Sequence, residues 1–324
     1  MSAGAVAEGP VAENPVANGP GAKGPVSVGT VLTLEDFSVD YLGETVVHAV
    51  RHVDLTLGRG EILGLAGESG CGKSTLAYGI TRLLKPPAVI TSGRALFHSR
   101  EGYDVDLRAL HGEDLRAFRW DKISMVFQGA MNSLNPVISI RAQLEDIFTT
   151  HRPELSRAER RQRCGDLLER VGVDRDRLRS YPHELSGGMR QRVMIAMAMA
   201  LEPQVMIMDE PTTALDVVVQ REILLELTRL RDELGFAVVF ITHDLPLLLE
   251  ISDRIAVMRA GEIVELGPAA QVYSNPQHSY TEQLLASFPS LTGQRGDFIR
   301  AGLDERLLDL DAVQVTDVDG GASR

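Results

Sequence analysis

Nine consecutive residues, Gly67-Glu68-Ser69-Gly70-Cys71-Gly72-Lys73-Ser74-Thr75, hold the densest chemistry in this chain. They fit G-x-x-x-x-G-K-[ST], in which the backbone N–H groups of a glycine-rich loop wrap phosphate oxygens. Glycine permits the positive φ angles that turn successive N–H groups inward. A helix beginning at the end of the loop adds the positive end of its dipole. Lys73 is placed to touch the β- and γ-phosphates of a nucleotide, and Ser74 to ligate Mg²⁺.

A second group stands at the ends of apolar runs. Val205-Met206-Ile207-Met208 leads into Asp209 and Glu210. A carboxylate there needs a strong reason, and holding the water shell of Mg²⁺ is one. Glu210 is placed to polarise an attacking water as general base. Gln128 follows Ile123–Phe127, and His243 follows Val239-Phe240-Ile241-Thr242. Ser186, Gly187 and Gly188 open an apolar helix running through Leu201, so their N–H groups form a second anion site. Tyr41 precedes the glycine loop at a distance that allows its ring to stack on adenine.

These residues need elements to position them. Glu61–Ala66 reads as a short buried strand feeding the glycine loop, and Ser74–Leu84 as the helix after it. Further buried strands are expected at Ile123–Phe127, Val205–Met208 and Ala237–Ile241, with a helix over Leu215–Leu234. Alternating strands and helices imply an α/β fold with a mainly parallel sheet. Val31–Leu34 and Val53–Leu57 alternate as strands ahead of the loop, and Arg254–Met258, Ala260-Gly261 and Glu262–Leu266 read as a late hairpin. Residues 142–201 are helix-rich and read as a helical subdomain inserted between two strands, at about 129–200. Residues 1–29, with prolines at 10, 15, 20 and 25, read as a disordered tail. Residues 290–324 read as an acidic, loosely attached extension.

Bulk properties narrow the field. The net charge of −12 argues against nucleic acid as the main partner. Two cysteines, Cys71 and Cys164, provide neither a disulfide framework nor a metal cluster, which fits a reducing cytosol. The most apolar run, Val193–Leu201, is far shorter than the ~20 residues of a spanning helix. The N-terminus lacks a basic start and an apolar stretch, so it is not read as a secretion signal.

The run Leu185-Ser186-Gly187-Gly188-Met189-Arg190-Gln191-Arg192, just upstream of Asp209-Glu210, resembles the signature of ATP-binding cassette (ABC) proteins. That resemblance implies a P-loop NTPase (RecA-like) core with an antiparallel β subdomain and the inserted helical subdomain. It makes Gln128 the glutamine that senses Mg²⁺ and water, His243 the switch histidine at the γ-phosphate, and Asp216 part of the loop bridging two cassettes. It makes Ser186–Gly188 the cap on a γ-phosphate held by the opposite subunit, so one chain carries two half-sites. The implied cofactors are ATP and Mg²⁺.

Within the family the chain is most similar to ATP-binding subunits of dipeptide/oligopeptide importers, over about Val31 to Pro289. The residues that carry this are Ser133-Leu134-Asn135-Pro136, Tyr181-Pro182-His183-Glu184, Asp209 through Asp216, and Asn275-Pro276-Gln277-His278-Ser279-Tyr280-Thr281. The resemblance implies a second related ATPase subunit, two transmembrane permeases, an extracellular binding protein and a place on the cytoplasmic membrane face. Gly129-Ala130-Met131 and Ser279 depart from the usual pattern, leaving oligosaccharide or nickel as alternative cargo. With no cysteine beyond Cys164, no iron–sulfur cluster is expected. A soluble ABC ATPase of nucleic-acid metabolism is the rival class, but Gln128 and Leu185 are too close for a long intervening coiled coil. Cys71, at a variable loop position, has no catalytic role in this reading, although thiol reagents there are expected to block ATPase.

Overall fold

A computed structural model describes residues 29–213 and 215–287. The tail expected at the N-terminus, Gly29 apart, and the acidic extension after 290 lie outside the described residues.

The chain runs β1 (Thr30–Leu42), β2 (Val46–Gly58), β3 (Ile62–Ala66), α1 (Lys73–Ile80), β4 (Ala88–His98), β5 (Asp104–Asp106) and α2 (Gly112–Asp121, kinked at Arg119 and Trp120). It continues through β6 (Ile123–Val126), α3 (Ile140–His151), α4 (Arg157–Arg170), α5 (Gly187–Met199), β7 (Val205–Asp209), α6 (Val217–Leu234), β8 (Ala237–Ile241) and α7 (Leu245–Ile251). β9 (Arg254–Arg259), β10 (Glu262–Pro268), α8 (Ala269–Ser274) and α9 (Ser279–Ala286) complete it.

Two sheets form. One is antiparallel, in the order β2-β1-β4-β5. The other has the order β10-β9-β3-β8-β7-β6, parallel throughout except for the β9–β10 hairpin. The central parallel strands β3 and β8 are apolar and buried along their whole length, as is β7 up to Asp209, because both faces are covered. Alternate residues therefore enter different cores. Met206, Met208, Val238 and Phe240 join the helices on one face, while Val205, Ile207, Val239 and Ile241 join α1 and the antiparallel sheet on the other. At ~25 cal/mol per Å² of apolar area removed from water, this double coverage is the main favourable contribution to folding.

Between β6 and β7 the chain leaves the sheet to form α3, α4 and α5. Leu144, Phe148, Cys164 and Leu168 pack there into a core continuous with the first sheet face. Ser156 and Glu159 cap α4 reciprocally, so two otherwise unpaired N–H groups are satisfied. Burial pushes the Cys164 thiol up to about 12, so it stays a neutral core residue.

Candidate active site

The parallel sheet explains why distant motifs meet. β3, β8, β7 and β6 run in one direction as adjacent strands, so their C-terminal ends share one edge. That edge is where open α/β sheets bind ligands. The glycine loop follows β3, His243 follows β8, Asp209 ends β7 with Glu210 next, and Gln128 follows β6.

The loop is held tightly from outside. A Cβ on Gly67, at φ +144°, would come 2.2 Å from the Met258 carbonyl oxygen. One on Gly72, at φ +112°, would come 2.2 Å from that of Ala49. The chain therefore needs glycine at both ends of the turn. Gly72 caps α1, so Lys73 and Ser74 occupy its first turn, with Thr75 behind them. Lys73 Nζ donates to the carbonyls of Gly67 (2.7 Å) and Glu68 (2.8 Å) and lies 3.6 Å from the Cys71 sulfur. The thiol of Cys71 is buried, so a reagent reaches it only through movement of the loop. Ser69 and Gly70 form the turn's exposed crest. The Tyr41 hydroxyl lies 3.2 Å from that of Thr75, which puts its ring beside the loop.

Asp209 is 1% exposed. One carboxylate oxygen accepts from the Ser74 hydroxyl at 3.1 Å, and the other is buried with no partner. Burial, aided by neighbouring Glu210, pushes its pKa above the ordinary carboxylate value; the Ser74 hydroxyl and Lys73 oppose that shift. An orphaned, desolvated carboxylate oxygen next to a hydroxyl is a donor set suited to Mg²⁺, which typically takes one or two carboxylates plus substrate phosphates. The residues fit the ion. Among the described residues no group of three or more His, Cys, Asp or Glu gathers as a self-contained metal cage.

Glu210 has φ 46°, a backbone conformation that costs a non-glycine residue about 1–3 kcal/mol. Its N–H donates to the Ile241 carbonyl at 2.9 Å, tying β7 to β8. Its carboxylate accepts from Gln128 Nε2 (2.9 Å) and the Thr213 hydroxyl (3.1 Å), with His243 Nδ1 at 3.3 Å. Two motif residues far apart in sequence, Gln128 and His243, thus meet on one carboxylate.

Ser186, Gly187, Gly188 and Asp216 form a separate group. Ser186 caps α5 by accepting from Met189 N–H, and Asp216 caps α6 by accepting from Val219 N–H. Gly187 faces Leu215 and Met131, and Gly188 faces Val219. Among the described residues, no hydrogen bond joins this tip to the glycine loop.

Two contacts were not foreseen. Thr213, three residues after Glu210, orients that carboxylate from its own turn. Tyr280 is 3% exposed, and its hydroxyl accepts from the Glu68 N–H of the glycine loop at 3.1 Å. Both lie in runs that signalled family resemblance, yet only the fold reveals what they touch.

Comparison with known proteins places this geometry. Residues 50–213 match the family described as ABC transporter, and residues 264–308 match the oligopeptide/dipeptide transporter C-terminal region. The oligopeptide transport ATP-binding protein OppD of Bacillus subtilis is 40% identical over 82% of this chain and 73% of its own length. The dipeptide transport ATP-binding protein DppD of the same organism is 39% identical over 90% and 81%. The peptidoglycan transport ATP-binding protein YejF of Agrobacterium fabrum is 42% identical over 88% of this chain, which spans only 56% of that relative. Among solved structures, a dimeric ATP-binding cassette in a post-hydrolysis state with ADP and Pi matches with a TM-score of 0.63 at 30% identity. That match covers 74% of this chain and 98% of the cassette. In family and in fold alike, the chain belongs to the ABC transporters, as one of their ATP-binding cassettes.

Proposed function

We propose that this chain is an ATP-hydrolysing subunit of a membrane importer of di- and oligopeptides. The observation that supports it most is the convergence of Lys73, Ser74, Asp209, Glu210, Gln128 and His243 on one edge of a parallel sheet. Residues 30–289 act as the nucleotide-binding unit, with about 129–200 as its helical subdomain.

In this reading the glycine loop from Gly67 to Thr75 takes the phosphates with its free N–H groups, the Glu68 N–H staying with Tyr280, and Tyr41 stacks on the base. Lys73 leaves the carbonyls of Gly67 and Glu68 to neutralise charge on the terminal phosphates. Ser74, Asp209 and Gln128 would hold Mg²⁺ and its water shell, and the ion would supply neutralisation of phosphate charge. Glu210 accepts a proton from the attacking water, and the contacts from Gln128, Thr213 and His243 orient its carboxylate for that task. Ser186–Gly188 and Asp216 face a second cassette, so each nucleotide is closed between two chains.

The partners are a second, related ATPase subunit, two permeases and an extracellular solute-binding protein, at the cytoplasmic face of the membrane. No described helix is long and apolar enough to cross a bilayer, so another chain would hold this one there.

Glu210→Gln tests the chemistry. Turnover of Mg-ATP should fall by at least about 100-fold, the scale of a lost general base, while ATP binding stays within a few-fold of the parent. A variant that still hydrolyses ATP at the parent rate would place the base elsewhere.

A further inference from the structure

The C-terminal elements do more than finish the sheet. Glu265 on β10 accepts from the N–H groups of Gln277 (2.9 Å) and His278 (3.0 Å), fixing the turn before α9. His278 caps that helix by accepting from Tyr280 N–H. The turn therefore delivers the Tyr280 ring beneath the guanidinium of Arg259, 4.8 Å away, and the Tyr280 hydroxyl onto the glycine loop. Burial pushes the phenol above its ordinary pKa, so it remains a neutral O–H.

The peptide unit it meets is a particular one. The Gly67–Glu68 peptide offers its carbonyl to Lys73 Nζ at 2.7 Å and its N–H to Tyr280 at 3.1 Å. One rigid plane is thus gripped at both ends, by the phosphate-binding lysine and by a residue more than two hundred positions later. A peptide cannot rotate one end without the other. Tyr280 therefore fixes the orientation of the carbonyl on which Lys73 rests.

We propose that Tyr280 is a positioning residue for nucleotide binding, through which α9 keeps the glycine loop in its phosphate-accepting shape. This rests on the nucleotide reading given above. Without the hydroxyl, the Glu68 N–H loses its partner and the Gly67–Glu68 peptide is free to turn toward water. The loop then spends only part of its time in the competent form, and apparent affinity falls in proportion to that fraction.

The test uses the full chain and its Tyr280→Phe variant, which keeps the ring, its burial and the Arg259 contact. Binding of a fluorescent ATP analogue with Mg²⁺, amide hydrogen exchange across residues 67–73, and the nucleotide-free Tm are measured together. The expected result is affinity weakened about five- to thirtyfold, the factor for 1–2 kcal/mol, with faster exchange at Glu68 and little change in Tm. Unchanged affinity in the variant, whatever its Tm, overturns the role of Tyr280. Failure of the parent chain to bind the analogue overturns the nucleotide reading instead.

Discussion

Asp209 is the residue on which burial and chemistry pull in opposite directions. Its carboxylate is desolvated, half of it lacks a partner, and its pKa stands above the ordinary value, chiefly because of burial. A raised folded-state pKa means that the native chain holds more protons than the unfolded one between the two values. Stability therefore declines as pH climbs through that window and stays reduced above it. In nucleotide-free chain with EDTA, Asp209→Asn should raise the Tm at pH 7 by about 2 °C. The advantage over the parent should shrink as pH falls into the carboxylate range. The same variant should lose any Mg²⁺-dependent tightening of ATP. A lower Tm for the variant at neutral pH would show that the charge is not a burden. Such residues were legible in the sequence because a charge at the end of Val205–Met208 has so few structural excuses. Thr213 and Tyr280 were not, because a hydroxyl announces nothing until its partner is known.

Among the elements, the period-2 and unbroken apolar patterns located β3, β7, β8 and the late hairpin closely. Their ends moved where a local device intervened. α1 stops at Ile80 instead of Leu84, since Arg82 takes φ 57°, and α6 starts at Val217 because Asp216 serves as its cap. β1 and β2 run to thirteen residues each, far beyond the short alternating cores read from sequence. Register shifts around Asp36 and Phe37 break the alternation there and conceal their length. α2 was not anticipated, and it carries the single tryptophan of the chain. Trp120, at φ 71°, donates its indole N–H to the Met197 carbonyl of α5 at 2.6 Å, stitching the sheet edge to the helix that begins at Ser186. If Mg-ATP draws α5 toward a neighbouring cassette, this contact must adjust. Tryptophan emission from Glu210→Gln should then shift or change in intensity on adding Mg-ATP. An unaltered spectrum at saturating nucleotide would mean that the seam is rigid.

At the scale of the molecule, the glycine loop and the Ser186–Gly188 tip sit in different groups of contacts, and among the described residues no hydrogen bond joins them. The proposed sandwich needs two cassettes, so specific ATPase activity of the purified chain should rise with its concentration. It should rise further when a second importer ATPase is added. Full activity, flat from nanomolar to micromolar chain, would sink the two-cassette arrangement. The resemblance of Leu185–Arg192 to the ABC signature implied this division before any geometry. What sequence could not give was the set of handles joining remote parts, such as the grip of α9 on the glycine loop.

The excursion through α3, α4 and α5 departs from β6 and comes back at β7, its immediate neighbour in the sheet. β6 and β7 stand one strand-to-strand repeat of ~4.8 Å apart, so the strand ends that lead to Gln128 and Asp209 are neighbours despite the intervening eighty or so residues. The α3–α4 part of that excursion, ahead of Ser186, can be lengthened, shortened or resurfaced while β6 and β7 remain neighbours in the sheet. A lineage of such cassettes can thus refashion the α3–α4 surface while the carboxylates at the end of β7 stay put.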